Sequence, residues 1–443
     1  MVYLANGRTI GAGDTVPNTL LAAGIADGQG LVLDRYRPMV APGPAIPYWA
    51  TERSGRLVSV YPVAPAIVAA PFMWMQMTAL DVFRPQWRTR GFVPTLFVLG
   101  KNVAALFAAL AAVVLFVLLG RFASPDVVWP ATLAAALGSE MWVVGSQSLW
   151  PHGPSALALT SAIALALTPD AGPRRLLAAG VAGGIVVACR LPSAIYVAPL
   201  VVWLATTSRT KAGWFLAGVL PPIALVIAYN VAWFGTWQGG IALLEAQKPV
   251  THAVESAWTS AVLGGAAGTL FSPSRGLFLY CPWIGLAVVA LPFYWRRLGR
   301  HAAVAMLAAS LLPSALVLSA YSTWWAGNSF GPRFWTDATP IFALVLAACL
   351  EWSRERAPAW RIALYGSIAM AVVIQAIGAA CYPSSWNGHP TPIDLDHARL
   401  WDWRDNEITR CLREGPHAGA FQPSSDGAID SAFGLVRQPS TAP

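Results

Sequence analysis

This sequence has little charge. Asp, Glu, Lys and Arg make up 11% of its 443 residues, less than half of the roughly 25% usual in a soluble globular domain. With 56% hydrophobic residues and a mean hydropathy of +0.54, such a chain is too apolar to fold as a soluble globule. Other absences narrow the chemistry. No glycine-rich loop ends in Lys followed by Ser or Thr, and neither a paired-cysteine spacing nor an HExxH stretch offers a zinc site. No period-two alternation of apolar and polar residues points to a membrane β-barrel. Met1–Leu20 carries Gly7, Gly11 and Gly13 without a central apolar run, so no signal peptide is expected there.

What the chain does contain is a series of apolar runs of about 20 residues, long enough to cross a hydrocarbon core roughly 30 Å thick. The short loops between them are of two alternating kinds. One kind is basic: Arg121; Arg174 with Arg175; Arg209 with Lys211; Arg296, Arg297 and Arg300; and Arg354, Arg356 and Arg361. Two apolar stretches separate each basic loop from the next, so all five fit on one membrane face, and the positive-inside tendency makes that face cytoplasmic. The pattern predicts about ten spans, near 101–120, 127–147, 153–169, 176–190, 192–207, 213–234, 276–294, 302–320, 336–352 and 362–381. Some are short, which local thinning of the bilayer or burial against neighbours accommodates. The same loops account for the net charge of +8 and pI of about 9.5, so nucleic acid is not expected as a partner. The fold expected is an all-α, polytopic membrane helix bundle with interfacial helices on its outer face.

The other loops hold single charges among Trp, His, Gly and Pro, and parity places them outside. The expected organisation is an outer first loop over 1–100, a transmembrane bundle over 101–381, an outer segment over 382–414 and a disordered Pro-, Ser- and Gly-rich tail over 415–443. Residues 61–80 are apolar enough to span, but Pro62, Pro65 and Pro71 interrupt them and a crossing there would reverse the downstream parity. They are therefore expected to lie at the outer interface. Residue 1 then falls outside, and a preceding first span is expected upstream of it.

Gly13 and Asp14, the Tyr- and Pro-rich segment with Gly55, Arg56, Tyr61 and Pro62, and the alternating loops together resemble the GT-C superfamily of polytopic glycosyltransferases. Within it the likeness is to the protein-mannosyltransferase and lipid A aminoarabinose-transferase type. It covers most of 10–410. The stretches Phe271-Ser272-Pro273-Ser274-Arg275-Gly276 and Trp324-Trp325-Ala326-Gly327-Asn328-Ser329-Phe330-Gly331-Pro332-Arg333 look like a bacterial branch of such proteins. The resemblance implies transfer of a sugar from a polyprenyl-phosphate carrier to a glycan, lipid or protein acceptor at the extracytoplasmic surface of the inner (plasma) membrane.

That reaction needs a carboxylate to take the proton of the attacking hydroxyl and cations to stabilise the phosphate leaving group. Asp14 matches the family's first-loop aspartate and is the expected general base; its alternative is to cap the turn it makes with Gly13 and Thr15. Asp27 and Asp34 read as loop or capping residues. Arg190 ends an apolar run at the outer end of a helix, where relatives carry Lys or Arg; it fits bidentate phosphate binding, or snorkelling to lipid headgroups. Arg275 and Arg333 recur in the same setting and are expected beside the carrier phosphate. Tyr61 offers a hydroxyl to that phosphate, although interfacial tyrosines are common for their depth preference alone. His152 is assigned to acceptor contact or proton transfer, against a plain hydrogen-bonded helix start. Trp325, with Trp324, Trp386, Trp401 and Trp403, is assigned to a sugar face, against an interfacial aromatic belt.

Cys189, Cys281 and Cys349 are dispersed on spans, while Cys381 and Cys411 both face outward and can pair in an oxidising compartment. No cofactor is called for; one aspartate is not a metal site, and a divalent metal requirement stays open. The competing function is a non-enzymatic lipid or solute transporter, since intramembrane arginines also mark substrate pathways. The halves of the chain show no convincing repeat, and the polar residues gather at one face rather than at mid-depth, which favours the enzyme.

Overall fold

The computed structural model describes residues 1–416 apart from 42, 44, 90, 91, 260, 383 and 384. The tail expected over 415–443 lies outside the described residues from 417 onward. The first hundred residues hold α1 (Thr15–Ala26), α2 (Arg37–Val40), a two-stranded antiparallel sheet of β1 (Ala50–Arg53) and β2 (Arg56–Ser59), and α3 (Ala64–Phe83). There follow α4 (Phe92–Leu119), α5 (Pro125–Leu137), α6 (His152–Ala166), α7 (Pro173–Cys189), α8 (Ala194–Thr207) and α9 (Arg209–Phe234). The second half carries α10 (Ile241–Thr251), α11 (Val262–Phe271), α12 (Leu277–Tyr280), α13 (Pro282–Leu298), α14 (Ala302–Ala309), α15 (Leu311–Ala320), α16 (Thr339–Ser353), α17 (Pro358–Cys381) and α18 (Glu407–Glu414).

The chain is an all-α membrane protein by the length and composition of these helices. Among the described residues, six are long and apolar enough to cross: Ala64–Phe83, Phe92–Leu119, Arg209–Phe234, Ala302–Ala320, Arg333–Ser353 and Pro358–Cys381. All ten expected spans fall on helical segments, but those near 127–147, 153–169, 176–190, 192–207 and 276–294 become separate helices of at most 17 residues each. The helix that holds the first expected span begins at Phe92 rather than at 101. The segment expected to lie flat forms one continuous helix of spanning length, α3, because Pro65 falls in its first turn, where a missing N–H costs nothing. Only Pro71 lies in its interior.

Proline also starts α5, α7, α13, α16 and α17 at their first two positions, and Gly235 ends α9 in the left-handed conformation with its N–H on Val231 O. The most enclosed helix is α16, buried along Ile341–Ala347 and again at Cys349 and Leu350, and packed among α5, α13, α14 and α17. The helices α7 and α9 touch backbone to backbone. A Cβ on Gly180 would sit 2.0 Å from Phe215 O, and one on Gly218 would sit 2.2 Å from Leu177 O. This is the small-residue contact by which membrane helices pack without a hydrophobic driving force.

Basic loops meet at one end of the bundle. Arg121 donates to Ala164 O (2.6 Å), Arg354 lies 3.6 Å from Asp126, Ser124 N donates to Glu351 (2.6 Å), and Phe122 packs on His301. Arg297 pairs with Glu355 at 2.5 Å. The turns that lead the other way gather the residues of the candidate site.

Candidate functional site

Asp14 immediately precedes α1, but its carboxylate makes no capping hydrogen bond. Instead Oδ2 accepts from Arg333 Nη1 at 2.5 Å across 319 positions of sequence. Among the described residues only Oδ2 of that carboxylate is engaged. Both side chains are nearly buried, with 14% and 12% exposure. Arg333 also donates from Nη2 to Ala326 O (2.7 Å), stacks its guanidinium 4.4 Å from the Trp150 ring, and leaves Nε buried with no partner. A buried unpaired donor on a cation is costly, and an anionic ligand would satisfy it.

A second cluster adjoins the first. Arg190 leaves the end of α7 in extended backbone and donates to Asp337 Oδ2 at 2.5 Å. Asp337 is fully buried; it also accepts from Ser193 Oγ (2.7 Å) and lies 3.0 Å from His152 Nδ1. Phe334 joins the two clusters, its ring 5.4 Å from the Arg190 guanidinium and 5.6 Å from that of Arg333, an arrangement in which a π face offsets part of the cost of holding two cations close. Arg190, Ser193, Tyr196, Ser314 and Phe334 line a small recess beside them.

Loop residues close the site. The Tyr48 hydroxyl lies against Gly13 and shares a hydrogen bond with Tyr61, and both phenols feel the charges of Asp14 and Arg333. Tyr48 is half exposed and Tyr61 partly buried, and each is a protonated donor at neutral pH, as an ordinary phenol is. On α10, Lys248 is buried; its Nζ donates to the Tyr321 hydroxyl and to Thr323 Oγ1, each at 2.5 Å, and sits 3.7 Å from the Tyr321 ring. Burial lowers the ammonium to about 8, against the pull of Glu245 and Asp394.

Of the residues singled out in the sequence, Asp14, Tyr61, His152, Arg190 and Arg333 come together. His152 is held by Asp337 at the start of α6, with 2% exposure. Two do not join them. Arg275 is fully buried in a neighbouring network, its donors taken by Trp325 O (2.8 Å), Ser274 O (2.8 Å), Gly327 O (3.0 Å), Asn387 Oδ1 (3.0 Å) and Glu407 Oε2 (2.6 Å). Trp325 is 2% exposed, donates to Asp394 (2.7 Å) and packs with Trp386, Ile393 and Leu400, so its ring faces a core rather than an open sugar site. Asp27 pairs with Arg35 and Arg88, and Asp34 accepts from Leu57 N and Arg56, as loop carboxylates do. Cys381 and Cys411 are disulfide-bonded with Cα atoms 5.5 Å apart. Among the described residues no three His, Cys, Asp or Glu side chains gather as a metal-holding group.

Sequence reasoning missed Asp337, Ser193, Tyr48, Tyr321 and Lys248. For Asp337 the signal was present: a lone carboxylate at the edge of an apolar run, the rule that singled out the arginines. Comparison with family models, with curated proteins and with solved structures finds no match. Fold and site thus define the class, a helical membrane protein with a cluster of carboxylates, cations and phenols at one end.

Proposed function

We propose that the protein is a membrane glycosyltransferase of GT-C type that moves a sugar from a polyprenyl-phosphate carrier to an acceptor at the extracytoplasmic face of the inner (plasma) membrane. The observation that carries this reading is the meeting of Asp14 with Arg333, beside Arg190, Lys248 and two phenol donors. Three cations converge there, and the two guanidiniums are each held by one carboxylate. A carrier phosphate entering between them would exchange its oxygens for those carboxylates, and the guanidinium fork suits it. Arg333 would then release Asp14 to take the proton of the acceptor hydroxyl as that oxygen attacks the anomeric carbon, while Arg190, Lys248 and Tyr61 stabilise the departing phosphate. The Cys381–Cys411 bond supports an oxidising, hence extracytoplasmic, location for this end, with the arginine-rich loops inside.

The test is to supply reconstituted protein with labelled polyprenyl-phosphate sugar and follow both label transfer and carrier turnover. Asp14→Asn is expected to lower turnover by roughly 10²–10⁴-fold, the range for a positioned general base. Turnover indifferent to that substitution removes Asp14 as the base. Absence of turnover across a panel of carriers, with lipid or solute movement intact, makes the protein a transporter instead.

A further inference from the structure

Arg333 does not hold its place unaided. The loop before it, 325–331, contains three positive-φ residues, Ala326, Gly327 and Gly331, and it is pinned at both ends by one buried ion pair. Arg275 takes its near end, donating to Trp325 O and Gly327 O. Glu407 takes its far end, accepting from Gly331 N at 2.9 Å with the same Oε2 that meets Arg275 at 2.6 Å. From there the chain turns directly into Arg333, whose N donates to Gly331 O (2.9 Å) and whose Nη2 returns to Ala326 O (2.7 Å). The guanidinium that meets Asp14 is therefore seated on a loop whose shape Arg275 and Glu407 set. Gly331 leaves no slack, since a Cβ there would lie 2.5 Å from both Glu140 Oε1 and the Tyr280 ring.

Glu407 in turn sits where α18 puts it. Asn406 and Thr409 cap that helix reciprocally. Cys411, one turn on and on the same face, bonds Cys381 at the end of α17. Glu407 and Cys411 are both buried.

We propose that Glu407, acting through Arg275 and Gly331 on a helix anchored by the Cys381–Cys411 disulfide, is the positioning residue that aims Arg333 at Asp14. Its consequence for turnover rests on the glycosyl-transfer reading above; its effect on Arg333 does not. Arg88 supplies the internal control, because it is held by Asp27 and Asp81 in the first hundred residues, away from Glu407, Arg275 and the Arg333 segment.

The experiment is dicarbonyl modification of arginine in the detergent-solubilised full-length protein, mapped by mass spectrometry. In Glu407→Gln, and separately in the wild-type chain after its disulfide is reduced by a phosphine, the modification rate of Arg333 is expected to rise about tenfold or more, the factor equivalent to one lost charge-assisted hydrogen bond. Arg88 is expected to stay unchanged. Unchanged Arg333, or Arg88 rising in step with it, overturns the proposal, the second outcome by showing general loosening. If Glu407→Gln does not accumulate as a monodisperse protein, the reduced wild-type arm decides. In the transfer assay the same perturbations are expected to raise KM for the carrier more than they lower kcat, and Glu407→Asp to restore part of it. Because the modification readout needs no turnover, loss of the glycosyl-transfer reading and loss of this one are separately visible.

Discussion

At the scale of single residues, the two guanidiniums of the site differ in how much of the protein depends on them. Arg190 is the cation against a fully buried carboxylate, so Arg190→Ala strands Asp337 without its counter-charge. The expected cost is about 3–5 kcal/mol, because the desolvation penalty of the remaining charge is no longer offset. Removing both partners is expected to be less damaging than removing one. Thermal midpoints in detergent for Arg190→Ala, Asp337→Ala and the double variant check this, and a double variant no better than the worse single one counts against it. Lys248 gives a pH signature. Its folded value near 8 lies below the ordinary 10.5 because burial disfavours the ammonium. Between those two values the unfolded chain binds more protons, so this group's share of stability is absent below about 8 and grows as pH rises toward about 10.5. Phosphate binding should follow the opposite course, weakening as pH rises through about 8, when the ammonium is lost. Lys248→Met is expected to abolish both slopes, read by thermal midpoint and by binding of labelled carrier across pH 7–10.

At the scale of elements, the close contact of α7 and α9 bears on the site, since α7 ends at Arg190. Gly180→Val is expected to push the helices apart at a cost of about 1–3 kcal/mol from overpacking and to weaken carrier binding through the displaced end of α7. Gly213→Ala on α9, with nothing within 4 Å of its added carbon, serves as the neutral control. Equal thermal midpoints for the two variants would remove the contact as a determinant. The helices themselves were legible because apolar runs and proline starts are local signals. Their lengths were less so: the short helices near 127–147 and 276–294 are cut by Gly138 and Cys281 as C-caps, where the apolar pattern runs on. The continuity of α3 was hidden by its prolines, since only the structure shows that Pro65 falls in the first turn, with Pro71 alone in the interior. Arg190 and Arg333 were legible because each stands as a lone charge at the edge of an apolar run, whereas Asp14, among glycines and a threonine, was legible only through the resemblance of its loop. Lys248 lies on the amphipathic α10 and Tyr48 in a proline-rich loop, settings in which such residues are ordinary. Arg275 shows the converse limit: position marks a guanidinium at a span edge, but only the folded backbone decides whether carbonyls have already taken its donors.

At the scale of the whole molecule, the two ends of the bundle make opposite predictions for accessibility. The arginine-rich loops share one end, and the Asp14–Arg333 pair, the disulfide and the 385–416 segment share the other. The chain suits thiol labelling because Cys189, Cys281 and Cys349 are buried and Cys381 is bonded to Cys411, so the unaltered protein should take up no reagent. Ala357 and Gly388 are exposed at the basic and site ends respectively. With a membrane-impermeant maleimide on intact cells, Gly388→Cys is expected to label at once and Ala357→Cys only after permeabilisation. The physical ground is that arginines resist translocation while single charges among aromatics do not, and that a structural disulfide persists where thiols are not kept reduced. The reverse pattern would put Asp14 in the cytosol, where the disulfide is not maintained, and with it would fall the extracytoplasmic sugar transfer. Labelling of both positions in sealed cells would mean that the two ends lie on one side, and the helices between them would then have to be re-entrant rather than spanning.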